Sequence, residues 1–141
     1  MKSPLFLLVL VAACEPPPLS SGSGQPSIEI IAPPTDVGQI ALQPDGTLKF
    51  LLAVDLDGIQ YVRPSESQAD PVEGQGHYHF HLNGEYLGPP EEQLIEYVSD
   101  VDEFSAGSAM QLRVTLASND HVDLDEFDDW EAIVEFDVVA P

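Results

Sequence analysis

Cysteine is nearly absent: Cys14 is the only one in 141 residues. A disulfide within the chain is therefore impossible, and so is any metal site that needs two thiolates. Basic residues are almost as scarce, with four Lys and Arg against 25 Asp and Glu and a formal net charge of −21. Such a surface repels phosphate backbones and anionic headgroups, which excludes nucleic-acid binding, and it attracts cations. The longest apolar run, near the N-terminus, falls short of the roughly 20 residues a membrane-spanning helix needs. Helical periodicity is hard to find, and no nucleophile elbow, phosphate loop or Ser/His/Asp pattern is visible. With no free thiolate and only Met1 and Met110 as thioethers, a blue-copper site and Met-rich copper(I) carriage are both disfavoured.

What is present starts with "MKSPLFLLVLVAAC". Lys2, the apolar run from Leu5 to Val11 and the small residues Ala12 and Ala13 have the build of a secretory signal. Val11-Ala12-Ala13-Cys14 resembles the lipobox of bacterial lipoproteins. The resemblance implies cleavage before Cys14 and lipidation of Cys14 as the new N-terminus. It also implies an anchor in the bacterial cell envelope, and Glu15 in place of Asp after the cysteine points to the outer membrane. The next stretch, "EPPPLSSGSGQPS", combines stiffening prolines with a loose Ser/Gly run and has no apolar period, so it reads as a tether. The expected organisation is a signal peptide over 1–13, a lipidated tether over 14–27 and one domain over 28–141. Past the signal, only Lys49, Arg63 and Arg113 oppose the 25 acidic residues.

The domain reads as strands. "TLKFLLAVD" places Leu48, Phe50, Leu52 and Val54 on one face; "AMQLRVTLAS" does the same for Met110, Leu112, Val114 and Leu116. "WEAIVEFDVV" aligns Ala132, Val134, Phe136 and Val138, and "SIEIIAP", "GIQYVRP" and "EQLIEYV" are shorter candidates. Period-two alternation of this kind marks half-buried strands. Turn chemistry falls at Pro44-Asp45-Gly46, Asp57-Gly58, Asn83-Gly84 and Gly88-Pro89-Pro90, with Asn83-Gly84 a strong hairpin signal. Residues 64–76 and 119–129 read as loops, the second intensely acidic. Seven or eight such strands predict a single immunoglobulin-like Greek-key β-sandwich, all-β in class.

Three of the four histidines lie in "GHYHFHLNG". Tyr78, Phe80 and Leu82 belong to a core, so His77, His79 and His81 share the opposite face. Side chains two apart on that face are roughly 6.5–7 Å apart at Cβ, close enough for two imidazoles to grip one ion; His77 and His81 are too far apart. In immunoglobulin order the histidine strand is strand C and the Met110–Ser118 segment is strand F, antiparallel neighbours. The end of F then meets the start of C, bringing His121 toward His77. The expected metal ligands are His77, His79 and His121, with His81, Asp120 and Asp123 as additional ligands or as acceptors that fix imidazole tautomers. Asp125 crowds the same end.

"GHYHFHLNG" together with "AGSAMQLRVTLASNDH" resembles a group of small exported bacterial domains of unknown function, which carry a Gly-His-x-His strand, a Gly-led strand and a closing Asn-Asp-His. The matching residues are Gly76, His77, His79, Gly107, Leu112, Val114, Leu116, Asn119, Asp120 and His121. The resemblance implies an immunoglobulin-like sandwich in which the histidine pair and the distal histidine form a shared site; His81 and the acidic loop depart from the pattern.

Four functions stay open. A metal-binding lipoprotein would hold copper or zinc, since neutral imidazoles suit either ion. A cell-surface adhesion or interaction module would need no metal, its histidines being solvated partners of carboxylates. A cupin-like metalloenzyme would use His79-x-His81-x-x-x-Glu85, although the glycine spacing and a second motif are missing. Calcium would use Asp123, Asp125 and Asp128. An EF-hand register from Asp120 puts Glu131 at position twelve, but places Asp125 where a Gly is needed. The sequence favours binding over catalysis.

Overall fold

The structure, a computed structural model, describes residues 25–67, 70–124 and 130–141. The signal segment, Cys14, most of the tether, and Asp125 and Asp128 of the acidic loop lie outside the described residues. In chain order the strands are β1 (Ser27–Ala32), β2 (Gly38–Ala41), β3 (Lys49–Asp57), β4 (Gln60–Tyr61), β5 (Gln75–Leu82), β6 (Glu85–Gly88), β7 (Leu94–Val98), β8 (Ala109–Ser118) and β9 (Glu131–Val139).

The strands form two sheets. One has the order β1-β3-β7; the other has the order β2-β9-β8-β5-β4, with β6 paired to the histidine strand β5. Pairing is antiparallel except for β2 on β9 and β4 on β5. This is immunoglobulin strand order, with β5 in the place of strand C and β8 in that of strand F. The alternating positions face inward as expected: Leu48, Leu52, Tyr78, Leu112, Val114, Leu116 and Val138 are fully buried. Each such side chain contributes roughly 1.5–3 kcal/mol by leaving water. Phe50 joins the layers, stacking 5.0 Å from Tyr97 in its own sheet and edge-on 5.8 Å from Phe136 across the core. Met110 is in this core too, as its place on β8 requires.

Two details differ from the sequence expectation. The described chain has nine strands: β2 and β4 are short pieces of four and two residues at the sheet edges, too brief to show a period. Residues 64–76, read as loop, contain a one-turn helix at Pro64–Glu66 and already begin β5 at Gln75. The Asn83-Gly84 hairpin forms as anticipated, with φ of 51° and 81°, the pair of left-handed residues that a tight turn between β5 and β6 demands.

The register of β5 on β8 places the site. His77 faces Ala117, His79 faces Thr115 and His81 faces Arg113. Gly76, one step earlier, lets the chains approach closely: a Cβ there would overlap the Ala117 carbonyl oxygen and come within 2.7 Å of Ile59 Cδ1.

Candidate metal centre

β5 projects its three histidines from the outer face of the larger sheet, yet they are not solvated. His77 is 0% exposed, His79 5% and His81 8%. Part of the cover is Tyr86 of β6, whose ring lies 5.1 Å from that of His79 and 5.3 Å from that of His81. The chain leaving β8 passes the same face, where Asp123 meets His79. Past Ser118 it turns sharply: the His121 amide donates to the Ser118 carbonyl at 3.0 Å and the Ser118 amide to Val122 at 2.9 Å. The chain then runs back along β8, with Asp123 bridging Ala117 and the Leu124 amide donating to Leu116. His121 sits in the turn at φ 66°, a region that costs a non-glycine residue roughly 1–2 kcal/mol.

This turn delivers His121 to the histidine pair. Its ring centroid is 4.6 Å from that of His77 and 6.1 Å from that of His79. One ligand nitrogen from each of His77, His79 and His121 lies within 4.8 Å of the others. Two rings are buried on a strand; the third is exposed at the mouth.

The hydrogen bonds define how the pair is set. His79 Nδ1 is 2.6 Å from Asp123 Oδ1. A carboxylate accepts only, so Nδ1 carries the proton and Nε2 presents a lone pair, an assignment made from the bonding network. That Nε2 is 3.2 Å from Nε2 of His77. Two bare lone pairs at this separation repel, so the geometry calls for either an Nε2–H on neutral His77 that donates to His79, or a metal ion between them. Nitrogens held about 2.0–2.1 Å from a tetrahedral zinc are about 3.3–3.4 Å apart, so the observed spacing suits one ion. With the proton on His77 Nε2, its Nδ1 is left as a buried acceptor without a partner.

Electrostatics favour the neutral, ligating form. Burial, and then the neighbouring His79 and His121, push His77 down to about 4 from an ordinary 6.5. Burial also lowers His79, against the opposing pull of Asp123. His81 is lowered by burial and by Arg113. Rings that stay neutral keep their lone pairs for a metal.

Of the sequence candidates, His77, His79 and His121 come together. Asp123 joins them as the acceptor that orients His79, with Thr115 Oγ1 donating to the same oxygen at 3.3 Å. Asp120 is not in the ligand group; its carboxylate accepts from the Ser118 hydroxyl, which holds its pKa below the usual range, and its charge acts on His77 and His121. His81 stands apart from the trio, its Nε2 buried without a hydrogen-bond partner. Glu85 opens β6 opposite Leu82, exposed, and is not in the group. Glu131 is occupied by Arg113 at 2.9 Å. Sequence reasoning missed Tyr86, whose ring lies against two of the imidazoles, and named Asn119 only as part of the Asn-Asp-His resemblance, without its burial.

The chain matches no protein-family profile, and no curated protein is significantly similar to it in sequence. Among solved structures it is similar to a fibronectin(III)-like module of Clostridium thermocellum CbhA, with a TM-score of 0.45 and 16% identity over 80% of this chain and 97% of that one. It is also similar to the CARDB domain of a Pyrococcus furiosus protein. A solution structure of that domain gives a TM-score of 0.45 and 14% identity over 81% of this chain and 94% of that one. A crystal structure of the same domain in complex with di-metal ions gives 0.43 and 16% over 83% and 94%. The all-β, immunoglobulin-like sandwich rests on the strand order itself.

Proposed function

We propose that this chain is an envelope-anchored lipoprotein, probing or storing a divalent transition metal, zinc or copper(II), at His77, His79 and His121. One observation carries the reading: nitrogens of three rings from two distant segments converge within 4.8 Å, and the far side of one ring is fixed by Asp123. A carboxylate behind a ligating imidazole is the usual means of setting its tautomer and raising its basicity. The acidic surface draws cations toward the mouth. Three protein ligands leave a tetrahedral ion one open position, suited to exchange with water or a partner's ligand. The lipid anchor is supported by the Val11–Cys14 pattern.

Burial of the three β5 histidines counts against the reading in which they are solvated partners of surface carboxylates. Glu85 does not converge with His79 and His81 in a ligand group among the described residues, which counts against a cupin-like site.

The test is metal content. The protein purified without its signal segment is expected to hold about one equivalent of Zn(II) or Cu(II) after dialysis, and the double variant His77→Ala/His121→Ala none. Equal binding by the double variant would refute the site.

A further inference from the structure

Asn119 is 1% exposed, the most buried residue of the turn that carries His121. Its side-chain oxygen accepts a hydrogen bond from the Val72 amide at 2.6 Å, and its side-chain nitrogen donates to the Asp70 carbonyl at 3.2 Å. Both partners lie in a segment that belongs to no strand. Among the described residues, the other hydrogen bonds of 119–121 stay within the turn, through Ser118. Past His121, Asp123 and Leu124 tie the returning chain to β8 and to His79, so the turn is held at its exit. The Asn119 side-chain amide holds the turn at its entry, to a segment outside the β5–β8 pair, two residues before His121. The His121 ring is exposed and so has little packing of its own to hold it against His77 and His79. A buried amide with both its polar ends satisfied is hard to displace, because a lost bond leaves an unpaired group out of water.

We infer that Asn119 is the positioning residue of the metal centre: by clamping the turn to Asp70–Val72 it holds His121 at the coordination point of His77 and His79. This rests on the metal reading above. It makes the 70–72 segment part of the site's support.

Cu(II) bound to the purified protein provides the test. Nitrogen superhyperfine splitting in its electron paramagnetic resonance spectrum counts coordinated imidazoles, which a merely structural defect would not alter selectively. Wild type is expected to show three nitrogens and His121→Ala two. Asn119→Ala is expected to match His121→Ala, with Cu(II) affinity down 10- to 100-fold, the usual loss when a supporting partner of a ligand is removed. Val72→Pro deletes the amide that Asn119 accepts from while leaving every histidine and Asn119 in place. It is expected to give the same two-nitrogen spectrum, and it decides the matter if Asn119→Ala does not fold. Three nitrogens and unchanged affinity in the folded variants would overturn the clamp and leave the metal centre standing. A wild type that takes up no Cu(II) would overturn both.

Discussion

His77 shows how a single side chain couples burial to pH. Its ring is enclosed, and its pKa falls to about 4 from 6.5 through loss of hydration, reinforced by His79 and His121. Between these two values the unfolded chain binds a proton that the folded chain refuses. The ring's contribution to stability is therefore complete above pH 6.5, declines as pH falls through the window and levels off below 4. A shift of this size corresponds to on the order of 3 kcal/mol. His79 and His81 are lowered by burial too and act in the same sense. Protonation of the 25 carboxylates relieves repulsion and works the other way, so the comparison must isolate the ring. Urea midpoints of metal-free wild type and His77→Gln, measured at pH 7.5, 5.5 and 4, are expected to diverge: wild type loses more on acidification. Parallel pH profiles would show that burial of this imidazole carries no proton linkage.

At the level of the element, the strand pair β5–β8 makes the site, and its closeness depends on Gly76. An added Cβ would collide with the Ala117 carbonyl and lie within 2.7 Å of Ile59 Cδ1. Backbone cannot yield there without moving the register that sets His77 opposite Ala117. Gly76→Ala is expected to destabilise the domain by about 1–3 kcal/mol, the typical cost of overpacking, and to weaken metal binding, because β5 separates from β8 beside the turn that bears His121. A thermal melt with a metal titration checks this; an unchanged melting temperature would show that the strands absorb the methyl group. Elements of this kind were legible to different degrees in the sequence. β3, β5, β8 and β9 each turn one apolar face to the core, so alternation betrays them, and once β5 and β8 take the places of strands C and F, the meeting of His77, His79 and His121 follows. β2 and β4 carry no such signal, since four and two residues at a sheet edge cannot display a period. The burial of Asn119 was opaque for another reason. In an acidic turn that residue looks like any turn residue, and its burial arises from Val72 and Asp70, far away along the chain. The burial of the histidines was equally hidden, because Tyr86 and the returning 122–124 segment lie along a face that alternation alone would leave to solvent.

For the molecule as a whole, the question is what would hold it to a membrane. No helix among the described residues is long and apolar enough to cross one. The surface is no help: four basic residues against 25 acidic ones give a net charge of −21, and an anionic headgroup layer repels such a domain within a Debye length of about 10 Å. If the protein is anchored as the lipobox resemblance implies, the acyl chains on Cys14 must supply all of the affinity. Each buried CH₂ of a lipid chain contributes about 0.8 kcal/mol, and stable attachment takes more than one chain. The Ser/Gly and proline segment that follows Cys14 then serves as a spacer, letting the charged domain stand off from the headgroups while its metal mouth stays open to solvent. Two consequences separate this arrangement from electrostatic adsorption. Cys14→Ser is expected to abolish incorporation of labelled palmitate and to move the protein wholly into the soluble fraction. High salt is expected to leave wild type in the membrane fraction, since screening weakens only the repulsion. Release of wild type by salt, or membrane retention of the unlabelled Cys14→Ser variant, would show that something other than a lipid on this one cysteine holds the chain.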